Sequence, residues 1–581
     1  MSMSFTPPVT EQRFVLRHIA GIDALADSDR FAEATPDMVD AILEGAGQLA
    51  AGEWAPLNRV GDETAAKLTD GGVVMPAGFK EAYQAYVEGG WGTITAPVEF
   101  GGQGLPFTMA IAILESLGSA NMAFTLCPIL SVGAIESLTH HGSEELQNAY
   151  LPKLSTGEWT GTMNLTEPQA GSDVGALKTR AEPADDGSWR IKGQKIFITF
   201  GEHDMASNIV HLVLARTPGS PEGTKGISLF LVPRYRLDAN GNPGESNDAR
   251  CVSLEHKLGI HASPTCVMSY GDNDDCHGWL IGPENGGMRA MFTMMNNARL
   301  NVGLQGVQIA ERATQQAVAF ARERVQSARA GGASRDPVAI IEHPDVRRML
   351  LRMKALTMAV RALVYSAAGQ VDAATLGDED AKARSEMLTP LAKAYGTDIG
   401  CEVASLGVQV HGGMGYIEET GAAQHYRDAR IAPIYEGTNG IQAADLVGRK
   451  LGLGGGAAMR SLLDDIGARA QDEPTLAVLL ADCEAVVAWL GEASVDDRLA
   501  ASYPFLTMLS VATAGWLMAR QLKVAEADLA AGKGDSDFLA MKIAACRFYL
   551  DQIVPEANGL RAAATASADI LYSVSEEALS A

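Results

Sequence analysis

The stretch Met163-Asn164-Leu165-Thr166-Glu167-Pro168-Gln169-Ala170-Gly171-Ser172-Asp173 marks the point where the texture of the chain changes. Small and hydroxylated residues from Thr166 to Asp173 leave the backbone free to approach a flat ligand and offer it donors. The same composition also suits an ordinary turn between a helix and a strand. On its N-terminal side the chain reads helical. Thr35-Pro36-Asp37 is a capping hydroxyl followed by proline at the first helical position, and Met38–Leu49 continues with apolar residues at helical spacing. Ala110–Leu117 predicts a second strong helix, others reach to Leu154, and Gly101-Gly102-Gln103-Gly104 breaks the block. On its C-terminal side, from Gly161 to Gly282, the runs Trp189–Ile198, Ile209–Ala215 and Gly226–Val232 are β-branched or alternating. They predict a small antiparallel barrel or sandwich, with Leu237–Asn247 as a turn-rich loop.

Beyond Gly286 the helical period returns. Leu300–Arg324, Asp345–Val371 and Ser385–Val410 are long amphipathic stretches that bury a stripe against one another, as in a bundle. Gly452–Gly456 reads as a linker, because no strand precedes it as a phosphate loop requires. From Ser461 onward the chain is again helical and more acidic than basic. The expected architecture is mainly α with a central β domain. An N-terminal helical domain covers 1–160, a β barrel or sandwich 161–285, a helical bundle 286–450 and an additional helical domain 460–581.

At 581 residues the chain exceeds one ordinary hydrophobic core, so several domains are expected. Hydrophobic residues make up 47% and charged residues 20%, enough for ample cores. The net charge of −25 argues against nucleic acid or an anionic membrane as the main partner. It leaves room for an anionic small ligand, which needs only a few local cations and backbone N–H groups. The seven cysteines are scattered without a C-x-x-C pair, so reduced, mostly buried thiols are expected, with neither disulfides nor a metal site. Met1–Gln12 lacks the basic and apolar regions of a signal peptide. No uninterrupted apolar run reaches the roughly 18 residues of a membrane span. A cytoplasmic protein is expected.

Three further motifs join the first. They are Lys195-Ile196-Phe197-Ile198-Thr199-Phe200-Gly201, Val408-Gln409-Val410-His411-Gly412-Gly413-Met414-Gly415-Tyr416, and the run from Arg427 to Gln442 that contains Ile434-Tyr435-Glu436-Gly437-Thr438-Asn439. In this order and spacing, with Trp91–Gly104 and Arg299–Arg324 in support, they resemble the acyl-CoA dehydrogenase family from roughly Tyr86 to Gln442.

The resemblance implies FAD as cofactor, an acyl-CoA as substrate and Glu436 as catalytic base. It sets Met163, Leu165 and Thr166 against the flavin ring and Ser172 near both flavin and acyl-CoA. Phe197, Ile198 and Thr199 also fall on flavin-side positions, with the Thr199 hydroxyl donating to N5. Many relatives have tryptophan where this chain has Phe197. Arg324, Gln409, Gly412 and Gly413 match positions that hold the dinucleotide half of FAD, often from a neighbouring subunit. Thr438, Asn439 and Gly440 fall on cofactor-binding positions. Asn296, Asn297, Arg299 and Gly437 fall on the substrate side. Some relatives carry the base immediately before the arginine equivalent to Arg299, but here that residue is Ala298. Read from the residues alone, Glu436 follows Ile431, Ala432, Pro433, Ile434 and Tyr435, an apolar run that would raise its pKa by desolvation. Gly437 tolerates unusual dihedrals, and Thr438 is suited to cap a following helix.

The implied reaction is α,β-dehydrogenation to the trans-2-enoyl-CoA. Glu436 takes the α-proton and the thioester carbonyl is held by backbone donation, including the Glu436 N–H, with a flavin ribityl hydroxyl. An electron-transfer flavoprotein is the implied acceptor. Within the family, the length, the extra C-terminal domain and Lys257–Cys266 look like the large bacterial forms, most similar to the 3-methylmercaptopropionyl-CoA dehydrogenases. Substrates of short or medium chain are equally compatible. A homodimer is expected, with the extra domain covering a surface that smaller relatives bury as tetramers. Two alternatives are an oxygen-using acyl-CoA oxidase and a non-catalytic nucleic-acid-binding relative. The second would need a basic C-terminal surface, and this one is acidic.

Overall fold

Thr35 starts a helix as its sequence predicts. Its side chain accepts from the Met38 N–H at 3.3 Å, and helix α1, Pro36–Leu49, follows with Pro36 in the first turn. The computed structural model that shows this describes residues 5–581, apart from the side chains of 294–296. The chain packs as two compact units. The first holds Glu33–Asn301 together with residues 5–8, and the second holds Val9–Ala32 and Val302–Ala581.

In the first unit, α2 (Phe107–Ala120) is buried all round beyond its first residue, as an apolar helix inside a core must be. Helix α3 (Met122–His141) begins at Asn121, whose side chain accepts from the Phe124 N–H at 3.1 Å. Among the strands that follow are β1 Trp159–Asn164, β2 Arg180–Pro183, β3 Trp189–Thr199, β4 Asn208–Arg216, β5 Ile227–Pro233, β6 Ala249–Leu254, β7 Thr265–Tyr270 and β8 His277–Ile281. They form one sheet in the order β6-β7-β3-β8-β5-β4-β1, with β2 pairing β3 and β4.

Two expectations are corrected. The β domain is not wholly antiparallel, because β1 runs parallel to β4 in register from Trp159 opposite Asn208 to Asn164 opposite Val213. A parallel pair needs a long crossover, and residues 165–207 supply it. The stretch 237–247 is not only loop. Tyr235–Leu237 and Pro243–Ser246 pair as a short hairpin, closed by Asp238 Oδ1 accepting from the N–H groups of Asn240 and Asn242 at 2.8 and 2.9 Å.

Strands β4 and β5 are buried on both faces. Alternation sends Leu212, Leu214, Leu229 and Leu231 into one core with Leu130, Ala134 and Leu138 of α3. Val213, Ala215, Phe230 and Val232 go into a second core with Ile198, Cys266 and Tyr270.

In the second unit, the later part of α4 (Gly287–Glu323) packs with α5 (Pro344–Thr375) and α6 (Glu379–His411). Backbones of α4 and α6 nearly touch: a Cβ on Gly306 would stand 1.9 Å from the Gly396 carbonyl oxygen, and one on Gly303 2.5 Å from that of Ala392. Helix α7, Asn439–Gly448, is followed by the turn Lys450–Gly456, in which Gly454, Gly455 and Gly456 have positive φ. Then come α8 (Pro474–Glu492), α9 (Val495–Ala530) and α10 (Ser536–Phe548).

The segment Val9–Ala32 belongs to this unit although it is distant in sequence. Arg520 donates to the His18 carbonyl at 3.0 Å, and Lys542 pairs with Glu11 at 2.8 Å. A second buried pair, Arg361 with Glu311 at 2.7 Å, lies beside it.

Among the described residues two helices, α3 and α8, are long and apolar enough to cross a membrane by length and composition. In α3, Thr125, Pro128, Ser131 and Glu136 interrupt the apolar residues, which is why no unbroken run is visible in sequence. The apolar stretch of α3 is 78% buried and that of α8 33%. Among the described residues all seven cysteines are free thiols, six of them buried, and no side-chain cluster suits a metal ion.

Candidate functional site

In the first unit the loop after β1 lies beside the end of β3, tied to it by the Ile196 N–H donating to the Thr166 carbonyl at 2.9 Å. The far end of β3 departs from ideal pairing. Lys195 lies opposite Met268 and Ile198 opposite Cys266, so Ile196 and Phe197 together face the single residue Val267. Phe197 takes φ +61°, the left-handed region that a bulky residue enters only under constraint. This bulge breaks the alternation. Lys195 and Ile198 both point inward, while the Phe197 ring stands 57% exposed.

Of the residues expected to form a wall, Phe197 is exposed, and Thr199, Thr166 and Leu165 are half-buried, with Leu165 packed partly against the first core. Two of the residues that the resemblance sets on the flavin side have buried side chains. Ile198 is 2% exposed and packs in the second core with Cys266, and the Met163 side chain packs in the first core with Trp159. Ser172 is exposed, in the loop that follows.

The helix stretch Gly287–Asn301 is tied to α3 at three points. Ser137 Oγ donates to the Ala290 carbonyl at 3.4 Å, His141 Nε2 meets Thr293 Oγ1 at 2.8 Å, and Asn297 Nδ2 donates to Glu136. Burial pushes the Glu136 carboxyl up to about 7, against the pull of the Asn297 hydrogen bond. Arg299 is buried. Asn296 lies outside the described side chains.

In the second unit Glu436 is half-buried at φ +55°, followed by Gly437 at φ +85°. Two consecutive left-handed residues turn the chain sharply into α7, and a Cβ at Gly437 would meet Gln442 Nε2 at 2.8 Å. Thr438 caps that helix, its hydroxyl oxygen accepting from the Ile441 N–H at 3.2 Å. Gly440 is exposed.

The Asn439 side chain is buried and hydrogen-bonded within the protein. Its Oδ1 accepts from Lys393 Nζ at 2.8 Å, and its Nδ2 donates to Ala394 O, Thr397 Oγ1 and Asp398 Oδ1. Lys393, completely buried in α6, also donates to the Ala432 carbonyl at 3.0 Å. One ammonium thus brackets the loop 432–439 from both ends.

Tyr435 donates its hydroxyl to Gln305 Oε1. Burial, then the charge of Glu436, pushes the Tyr435 phenol far above its ordinary range, so it stays a neutral donor. Sequence reading missed Lys393 and Gln305. Neither stands in a recognisable motif, and only the fold brings them to the loop. A cavity of about 570 Å³ lies against the same loop, lined by Asp398, Arg430, Ile434, Thr438 and Tyr503 among others.

At the other end of α6, Gln409, Gly412 and Gly413 are exposed, and no atom lies within 4 Å of where a Cβ would stand on either glycine. Gly412 has φ +59° and ψ −140°, a conformation open to glycine. The Phe320 and His411 rings stack with centroids 4.4 Å apart, which brings the end of α4 beside this strip. Arg324 is exposed there, donating to Gln326 Oε1 at 3.2 Å.

Comparison with known proteins matches four family profiles in chain order. These are acyl-CoA dehydrogenase N-terminal domain over 40–158, middle domain over 162–272, C-terminal domain over 285–452, and acetyl-CoA dehydrogenase C-terminal like over 462–575. A 3-methylmercaptopropionyl-CoA dehydrogenase from Ruegeria pomeroyi is 46% identical over 99% of this chain and 100% of its own. A butyryl-CoA dehydrogenase from Syntrophomonas wolfei is 37% identical over 94% of each. The fold matches an acyl-CoA dehydrogenase complexed with FAD from Bacillus anthracis. Its TM-score is 0.74 at 22% identity, covering 94% of this chain and 91% of that one.

Proposed function

The chain belongs to the acyl-CoA dehydrogenase family, and from that premise we propose that Glu436 is the base of an FAD-dependent α,β-dehydrogenation of an acyl-CoA thioester. The observation that carries the assignment is the loop around Glu436. Its carboxylate is half-buried on a left-handed turn that Lys393 holds at both ends, a rigid mount of the kind a base needs.

The residues present fit the flavin. An aromatic ring exposed from a strained bulge, with a hydroxyl two residues on, makes a flat wall with a donor. The open glycine pair beside Arg324 leaves backbone free for phosphates. Leu165, Thr166, Phe197 and Thr199 would hold the ring, and Arg324, Gln409, Gly412 and Gly413 the dinucleotide half. Bound there, FAD supplies a hydride acceptor for the β-carbon.

Glu436 accepts the α-proton. An α-proton of a thioester is weakly acidic, so the negative charge that develops on the carbonyl oxygen must be met by donors. The Glu436 N–H, on the turn shared with Gly437, would be one such donor. Asn297 and Arg299 orient the CoA side, with Ser172 at the loop edge. Exclusion of water strengthens each contact.

The substrate class is a short- or medium-chain acyl-CoA or 3-methylmercaptopropionyl-CoA, supported by the identity to the Ruegeria protein. The acceptor is an electron-transfer flavoprotein. The working form is a cytoplasmic homodimer, in which the exposed strip at Gln409–Gly413 and Arg324 serves the flavin of a second copy. The test is direct. Purified protein should be yellow, and a panel of acyl-CoAs that includes the methylthio substrate should bleach it under anaerobic conditions. A colourless protein, or one that no acyl-CoA bleaches, rules the proposal out.

A further inference from the structure

Lys195 and Glu167 form an ion pair at 2.8 Å whose side chains are 0% and 4% exposed. Lys195 Nζ also donates to the Leu165 carbonyl at 3.0 Å. The carboxylate of Glu167 accepts four more bonds, from Thr179 N–H at 3.0 Å, Thr179 Oγ1 at 2.6 Å, Lys178 N–H at 2.7 Å and Gln169 Nε2 at 2.6 Å. Main-chain bonds of 3.0 Å run both ways between Glu167 and Ala170. Burial alone would raise the Glu167 carboxyl, but the charge of Lys195 and these donors bring it down to about 2.

A fully desolvated pair is a poor way to stabilise a fold, since apolar side chains of similar volume do as well. What the pair does supply is direction. It grips the main chain at Leu165 and the side chain of Glu167, immediately before and after Thr166. Lys195 is also the last inward residue before the bulge. Immediately after it Ile196 and Phe197 share the single position opposite Val267, and the ring is turned out. One lysine thus lies at the bulge of the strand and is bonded to the loop on both sides of Thr166.

We propose that the Lys195–Glu167 pair is a positioning device for the flavin face, fixing Thr166 and Phe197–Thr199 in a single geometry. The inference rests on the flavin reading above. It is tested on holoenzyme carrying Lys195→Met, Glu167→Gln or Thr199→Val. The readouts are flavin content, the visible flavin spectrum and its circular dichroism, and the rate of anaerobic reduction by butyryl-CoA.

Lys195→Met should alter the flavin spectrum and slow reduction by about tenfold or more, the scale of a sub-ångström to ångström misplacement. The Kd for butyryl-CoA, measured in a Glu436→Gln background, should stay within about threefold. A merely structural role would lower the melting temperature and leave the flavin signals of the folded fraction unchanged. If Lys195→Met does not fold, Glu167→Gln decides, being equal in size and neutral: the same losses support the device, and wild-type behaviour overturns it. If Thr199→Val disturbs the flavin while the Lys195 and Glu167 variants do not, the positioning role fails alone. If Thr199→Val leaves spectrum and reduction untouched, the flavin reading itself fails.

Discussion

Replacing Lys542 with methionine should release the N-terminal segment from the second unit. The ammonium is fully buried and donates to Glu11 Oε1 at 2.8 Å and to Gln521 Oε1 at 2.7 Å, and it lies 4.4 Å from the centre of the Phe14 ring. Methionine keeps the apolar volume but strands the Glu11 carboxylate. Breaking a buried pair from one side costs about 3–5 kcal/mol. Arg361, whose guanidinium lies 3.9 Å from the same Glu11 oxygen, offsets part of that. Gln521 loses its donor and Phe14 its cation contact, which adds back some of the loss. The expected net loss is about 2–4 kcal/mol.

Because two units unfold in one chain, a single two-state fit is unsafe. The assay is urea unfolding followed by tryptophan fluorescence, together with hydrogen exchange over residues 9–26. The variant should shift the transition of the second unit and lose protection in that segment. In a double-mutant cycle, Glu11→Gln with Lys542→Met should cost clearly less than the sum of the two single changes, a coupling of about 2 kcal/mol. A Lys542→Met protein within about 0.5 kcal/mol of wild type, with residues 9–26 still protected, refutes the clasp.

Other outcomes follow from the same geometry. Glu136 carries a pKa raised to about 7 against an ordinary 4.5. The unfolded chain therefore releases this proton first, and stability is lost as pH rises from about 4.5 to about 7. Glu136→Gln should gain about 2 kcal/mol at pH 8 and nothing near pH 4.5, read from paired melts; an equal gain at both values contradicts the assignment. Lys393→Met removes the donor to both Ala432 O and Asn439 Oδ1. It should lower kcat by about 10- to 100-fold with little change in KM for acyl-CoA, and an unchanged kcat would show that the loop holds itself. Gly306→Ala forces apart helices whose backbones nearly touch, so the second unit should lose about 2 kcal/mol or more in denaturant, and wild-type stability would deny the close crossing.

Much of the architecture is legible in sequence because the signals are local. Thr35-Pro36 announces α1, the runs that become β4 and β5 are apolar enough to be buried on both faces, and the three long helical stretches keep their period. What escaped reading depends on partners far along the chain. Residues 9–32 look like the start of the N-terminal block, yet Glu11 finds Lys542 and His18 finds Arg520. The parallel pairing of β1 with β4 leaves no mark in either strand. At the candidate site the strand ending at Thr199 is legible from its β-branched and apolar run. The bulge that turns Ile198 inward beside Lys195 rests on a phenylalanine at positive φ, which no propensity foretells. Gly437 signals the unusual turn, but the strained residue before it, Glu436, is visible only in the fold. Nothing in the sequence near Asn439 announces that Lys393, 46 residues earlier, bonds to its side chain.

The proposed role of Glu436 as the group that receives the α-proton is tested by one variant that leaves the rest of the site in place. Glu436→Gln should keep its flavin, its yellow colour and its affinity for acyl-CoA, while anaerobic bleaching by substrate in a stopped-flow experiment falls by about 10³-fold or more. Bleaching at the wild-type rate would place the proton elsewhere and contradict the account at its centre.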